Sequence, residues 1–162
     1  MSKIDKSIQI NYSVINVLSF FSELEQDLIS QSIENSKNAY APYSKFNVSS
    51  GILLKNNKII LGNNVENASY PIGTCAERNV LSHTVTNYPN EIISCITIYG
   101  LHQINPKHQF ISPCGMCRQA LLEIEHHQKS FIKIILISDI TEFMVFENVK
   151  SLLPFAFNSD SI

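Results

Sequence analysis

Two short stretches constrain this chain more than any others: Thr74-Cys75-Ala76-Glu77-Arg78 and Pro113-Cys114-Gly115-Met116-Cys117-Arg118. They hold three of the four cysteines and both arginines, whereas ten lysines are spread along the rest. Each stretch opens a helical pattern, and one apolar strand pattern lies between them. A helix is expected from Thr74 to about Asn87, ending before Pro89. Residues 91–100 read as a strand buried on both faces. Ser112 followed by Pro113 gives an N-cap and a first-turn proline, so a further helix is expected over about 113–127. The intervening strand carries the chain back, so both helices start at one edge of the sheet. Cys75 then meets Cys114 and Cys117, which are i, i+3 neighbours on one helix face. First turns favour thiolate over thiol through the helix dipole and free N–H groups.

Three convergent thiolates fill three of the four tetrahedral positions of a zinc ion and leave the fourth to water. That open position points to one catalytic Zn²⁺ per subunit. The alternatives are a redox Cys-x-x-Cys or small buried hydrophobes, but a redox pair needs neither a third cysteine nor flanking arginines. Cys95 lies mid-strand among isoleucines and is read as core. Glu77 has two readings. Thr74-x-x-Glu77 fits a capping box, in which the carboxylate only folds back onto the Thr74 N–H. Placed two residues from a zinc ligand on a first turn, it can instead serve as the general acid/base, and this reading is preferred. Three thiolates and Zn²⁺ carry a net −1, so Arg78 and Arg118 are expected to hydrogen-bond thiolate sulfurs and withdraw the excess negative charge.

The rest of the chain sets bounds. At 162 residues, 44% hydrophobic and 16% charged, it reads as one soluble domain spanning 22–162, with an N-terminal extension of uncertain structure over 1–21. A net charge of −2 provides no basic footprint for nucleic acid. Lys3 and Lys6 precede the apolar run Val14–Phe21, but that run is short and diluted, so a cytoplasmic location is expected. No stretch approaches the length of a membrane span. Ser22 and Glu25 resemble a capping box opening a helix over about 22–40. Phe46–Leu54 and Ile59–Asn64 read as a β-hairpin, residues 64–73 and 101–111 as loops, and 131–138 and 142–147 as strands.

Cys75-Ala76-Glu77 with Pro113-Cys114-x-x-Cys117 resembles the zinc deaminase signature in its three-cysteine form. More closely, the chain is similar to the small homotetrameric cytidine deaminases over about residues 24–157. Tyr40-Ala41-Pro42-Tyr43-Ser44-x-Phe46-x-Val48, Asn64-Val65-Glu66-Asn67-Ala68-Ser69-Tyr70, Pro113-Cys114-Gly115-x-Cys117-Arg118-Gln119 and Leu152-Leu153-Pro154 carry the likeness. It implies an α/β fold, a three-layer α/β/α sandwich around a mixed five-stranded sheet. It also implies hydrolysis of cytidine or deoxycytidine to uridine or deoxyuridine and ammonia. Cys75, Cys114 and Cys117 would hold zinc, and Glu77 would protonate N3 and assist departure of ammonia. Asn64 and Glu66 would bind the ribose 3′-hydroxyl, Phe46 would pack beside the pyrimidine, and the backbone at Ala76 and Cys114 would contact the base. Phe157 would reach a neighbouring subunit's site in a homotetramer. The long N-terminal segment, the extended loop 101–111 and Ser49-Ser50 depart from the pattern.

Three rivals follow. A blasticidin-type aminonucleoside deaminase uses the same scaffold, but a carboxylate at Glu66 suits ribose. A polynucleotide deaminase is disfavoured by the acidic charge and by the repulsion of Glu66 for a 3′-phosphate. A non-catalytic zinc module would recruit His83 or His102 as a fourth ligand and leave Glu77 without a role.

Overall fold

In the computed structural model, which describes residues 3–158, the helices are α1 (Glu23–Asn35), α2 (Ala76–Asn87) and α3 (Gly115–Gln128). The strands are β1 (Ser13–Ile15), β2 (Phe46–Leu54), β3 (Ile59–Asn63), β4 (Ile93–His102), β5 (Lys133–Asp139) and β6 (Glu142–Phe146). The strands form one mixed sheet in the order β1-β6-β5-β4-β2-β3, in which β4 and β5 are parallel and the other pairs antiparallel. The expected sheet had five strands. The sixth is β1, drawn from the N-terminal segment, and it pairs Val14 with Met144 at the β6 edge. Ile15, Leu18 and Phe21 turn into the core beside it, which gives so short a strand its anchor. Residues 159–162 of the expected 22–162 domain lie outside the described residues.

Alternation along the central strands sorts the layers. Leu53, Cys95, Tyr99, Ile135 and Ile137 face Leu28 and Ile29 of α1. Ile52, Leu54, Ile96, Ile98, Ile134 and Leu136 face Val80 and Leu81 of α2 and Leu121 and Leu122 of α3. This is the three-layer sandwich that was expected. Each fully buried Ile or Leu contributes about 1.5–3 kcal/mol, and a one-residue slip would turn every one of them to the wrong layer. Cys95 sits in the core as read, and burial pushes its thiol pKa up.

The capping box of α1 forms: Ser22 Oγ accepts from the Glu25 N–H, and Glu25 Oε2 accepts from the Ser22 N–H. The other carboxylate oxygen takes Lys133 Nζ at 2.7 Å and ties α1 to β5. Burial works against ionisation of Glu25, but the Lys133 and Ser22 hydrogen bonds outweigh it and hold its pKa down. Helix α1 stops at Asn35, short of the expected 40. The Asn35 carbonyl accepts from Asn63 Nδ2, and its side chain donates to Ser49 Oγ and Asn63 Oδ1. The chain tightens into a 3-10 turn over Ser36–Asn38 instead.

On the other face α2 lies directly on β3. A Cβ at Gly62 would stand 2.8 Å from the Val80 backbone nitrogen, a clash that no side-chain adjustment relieves. Only a glycine allows the start of α2 so close to the end of β3, beside Asn64. At the C-terminal end, the buried Glu125 accepts from the Ile132 and Val149 N–H groups through Oε2, 2.9 Å each, and anchors the 3-10 turn Val149–Leu152. No helix among the described residues is long and apolar enough to cross a membrane.

Candidate active site

Helices α2 and α3 begin at the same sheet edge, as the helix–strand–helix order requires, but each begins later than expected. The N-caps are Cys75 and Cys114 themselves, both in extended conformation and neither with a side-chain cap bond. Thr74 is unavailable as a cap because it pairs with Val65 through both backbone groups, at 2.9 Å each. The Thr74–Glu77 capping box therefore does not form. Ser112 is not a cap either; its hydroxyl accepts from Arg118.

The three thiols converge. Cys75 Sγ lies 3.9 Å from Cys114 Sγ, which lies 3.4 Å from Cys117 Sγ, and all three fall within 4.8 Å of one another. Sulfurs held about 2.3 Å from one tetrahedral zinc lie roughly 3.8 Å apart, so the donor set fits that ion. No other side chain joins this group among the described residues. His83 is engaged with Asn87 and Tyr88, and His102 Nδ1 accepts from the Ile104 and Asn105 N–H groups. A four-ligand module thus lacks its histidine.

The first-turn positions alone do not favour thiolate at all three cysteines. Burial raises the pKa of Cys117 and of Cys75, and the nearby Glu77 carboxylate raises both further. Cys114 is the most exposed of the three; burial opposes its ionisation, but hydrogen bonds, first from the Cys117 backbone, lower its pKa. A divalent cation held by Cys75, Cys114 and Cys117 would reverse that balance and favour the thiolates.

Glu77 is 5% exposed, and burial raises its pKa despite hydrogen bonds from its own backbone and from the Cys117 thiol. With no cap to serve, its carboxyl faces a cavity of about 340 Å³ lined in part by Asn64, Glu66, Ala76, Ser112 and Cys114. A neighbouring hollow of about 400 Å³, bounded by Tyr43, Ser44, Glu66 and Tyr70, adjoins it. These sizes suit a small molecule.

The opposite wall is pinned by backbone. Asn64 O accepts from the Tyr40 N–H, and the Glu66 N–H donates to Tyr40 O. The segment is thereby extended, and alternation brings Asn64 and Glu66 to the cavity together. Asn64 uses part of its amide on β2: Oδ1 accepts from the Val48 N–H and Nδ2 donates to Phe46 O, both at 2.9 Å. One N–H and one lone pair are left. Glu66 Oε2 accepts from the Tyr43 and Ser44 N–H groups. Burial opposes its ionisation, but these bonds and the Ser44 hydroxyl lower its pKa.

Other expected residues stand elsewhere. The Phe46 ring is not in the cavity wall; it covers Gly100 beside Ile111, and Ile111 forms the wall. Phe157 is 64% exposed and away from the cavity, with its carbonyl accepting from Gln119 Nε2. Arg118 does not reach a thiolate. Its guanidinium donates to Pro113 O, Leu152 O and Ser112 Oγ, oxygens that surround the first turn of α3. Arg78 is half-buried and makes no hydrogen bond to sulfur among the described residues. Tyr70 and Ile111, which border the cavity, were not singled out from the sequence. Tyr70 at least lay inside a quoted motif, whereas nothing in an extended loop marks Ile111.

The family described as the cytidine and deoxycytidylate deaminase zinc-binding region matches residues 22–133. The cytidine deaminase of Halalkalibacterium halodurans is 33% identical over 137 residues, which cover 85% of this chain and 96% of that protein. That of Mycoplasma genitalium is 40% identical over 92 residues, 57% of this chain and 66% of that protein. The crystal structure of cytidine deaminase from Burkholderia pseudomallei superposes with a TM-score of 0.70 at 33% identity, covering 81% of this chain and 97% of that one. The matched span takes in all three converging cysteines and Glu77, and the chain belongs to the cytidine and deoxycytidylate deaminase zinc-binding family.

Proposed function

We propose that this protein hydrolyses cytidine or deoxycytidine to uridine or deoxyuridine and ammonia. The observation that carries this reading is a buried carboxyl, Glu77, sharing one small cavity with three thiols at zinc spacing. Cys75, Cys114 and Cys117 would hold one zinc per subunit. Zinc held there supplies a Lewis acid able to bring the pKa of water to about 7.

The remaining work falls to the chain. Glu77 takes a proton from water as that oxygen bonds to C4, delivers it to N3 of the pyrimidine, and then passes the remaining hydroxyl proton to the amine as the C4–N bond breaks. Burial raises its pKa, which strengthens the carboxylate as the base for the water's proton. Ala76, at the first turn of α2, offers a backbone N–H without a helical partner to the base, and Cys114 borders the same space. Glu66 and the free half of the Asn64 amide orient the ribose through its 3′-hydroxyl. Phe46, which shares the space over Gly100 with Ile111, shapes the slot for the pyrimidine. Arg78 moderates the negative charge of the thiolates.

The wider assignment belongs to the same proposal. Residues 22–162 form the catalytic domain and 1–21 an extension of it. The exposed Phe157 ring, held by its carbonyl and turned from its own cavity, suits a neighbouring site in a homotetramer. All four cysteines are unbridged, which suits a cytoplasmic location. Neither the net charge of −2 nor Glu66 suits a polynucleotide. An ultraviolet assay with cytidine, adenosine and blasticidin S tests the reaction. Cytidine alone should turn over; turnover of blasticidin S without cytidine would replace the reading by its closest rival.

Glu66→Gln tests the sugar end. The amide oxygen can still accept from Tyr43 and Ser44, so the loop and the zinc content should persist. A charge-assisted hydrogen bond to a hydroxyl is worth roughly 1.5–3 kcal/mol, so kcat/KM should fall about ten- to a hundredfold, mainly through KM. Unchanged kinetics with cytidine would show that residues 64–66 do not hold the sugar.

A further inference from the structure

Arg118 is bonded as a connector. From the first turn of α3 its Nε donates to Pro113 O at 2.8 Å, Nη1 to Leu152 O at 3.0 Å and Nη2 to Ser112 Oγ at 2.8 Å. The next residue, Gln119, donates from Nε2 to Phe157 O at 2.8 Å. Two consecutive side chains thus hold the C-terminal segment at two points, while one of them also holds the turn leading into Cys114. Ser112 and Cys114 both line the cavity. Leu152, Leu153 and Ala156 pack against the core without being fully buried, so apolar contact keeps the segment near while the polar bonds set its register. A cation in a helix's first turn opposes the dipole, and here three oxygen acceptors offset that cost. The guanidinium fork can meet three acceptors lying in different directions in its plane, whereas a lysine ammonium on its flexible stem is a poor match for that set.

We propose that Arg118 is a positioning residue that clamps the Ser112–Cys114 turn to the C-terminal segment at Leu152, so that one side chain sets a wall of the cavity and, together with Gln119, the course of the chain to Phe157. The kinetic part of this proposal rests on the reading of the cavity as a cytidine site. The structural part does not.

Arg118→Ala and Arg118→Lys, a truncation lacking residues 155–162, and Arg118→Ala combined with that truncation form the test. Both point variants should retain one zinc per chain and the wild-type circular dichroism. KM for cytidine should rise about tenfold while kcat changes much less, and lysine should fail to rescue. The truncation should cost a similar factor alone and little more in the Arg118→Ala background, because the two changes break one linkage. In both point variants hydrogen exchange should quicken at the Leu153 amide, which donates to Lys150 O in the turn that Arg118 holds. The Val149 amide, held independently by Glu125, should keep its protection. Additive losses, unchanged exchange at Leu153, rescue by lysine, or loss of zinc or of Val149 protection would each overturn the clamp. If the wild-type protein leaves cytidine untouched, the proposed function fails, and hydrogen exchange still decides the clamp.

Discussion

Cys117→Ala is expected to strip the centre of its metal and reduce deamination by at least roughly 10³-fold, while most of the fold's stability survives. Cys117 is fully buried beneath Cys114 and beside Glu77, so its loss leaves two thiols, 3.9 Å apart, to compete for the ion. Without the ion, water returns from a pKa of about 7 towards 15.7, and no side chain in the cavity replaces that effect. The cost to folding is different in kind. Removing one sulfur from a packed interior costs about 1 kcal/mol, of the order of other single-group deletions, besides the stabilisation that zinc lends the folded state. The two apolar faces of the sheet stay filled. A chelator applied to the wild type should reproduce the loss, and metal uptake should weaken as pH falls because protons compete for Cys75 and Cys117, whose pKa values are raised. Metal analysis and the cytidine assay on one sample check this. A variant that keeps stoichiometric zinc, with activity within tenfold of wild type, would remove Cys117 from the ligand set.

The sandwich and the meeting of the cysteines were legible because they follow from periodicity and chain direction. Alternating Ile and Leu positions mark strands with two buried faces, and a helix–strand–helix order returns the second helix to the edge where the first began. The sixth strand was not legible. Three residues of β1 hold their place through Ile15, Leu18 and Phe21 in a distant core, and no local pattern reports that contact. Helix starts were misplaced for a related reason. Thr74 and Ser112 are good caps by residue type, but Thr74 is committed to the backbone of Val65 and Ser112 to the side chain of Arg118, pairings that residue type does not disclose. Arg118 was likewise read from its nearness to cysteine in the chain, whereas its fork found Pro113 O, Ser112 Oγ and one carbonyl brought in by the C-terminal segment, Leu152 O. Phe46 shows the limit from the other side: alternation tells which face a strand residue takes, and only packing tells that its ring shares the space over Gly100 with Ile111, which lines the cavity.

Glu77→Gln should separate chemistry from architecture most cleanly. The substitution is nearly isosteric, and the capping role that a glutamine could fill is absent, since α2 carries no side-chain cap. Burial raises the Glu77 pKa, which means that its charged form is disfavoured in the folded protein. A neutral amide escapes that penalty, so the variant's unfolding temperature should match or exceed the wild type's. Its N–H groups can donate to a thiolate, so zinc should stay at one per chain. Turnover is another matter, because an amide accepts no proton from water and has none to give to N3. The rate should fall by roughly 10²–10⁴-fold, the range for removing a general acid/base. The loss should lie in kcat, since Asn64 and Glu66 still meet the sugar and the cavity keeps its volume. Zinc content, thermal unfolding and steady-state kinetics on a single preparation keep a damaged fold from being taken for lost chemistry. If the zinc-loaded variant still deaminates cytidine within a few fold of wild type, the buried carboxyl is a packing element and proton transfer runs through some other group.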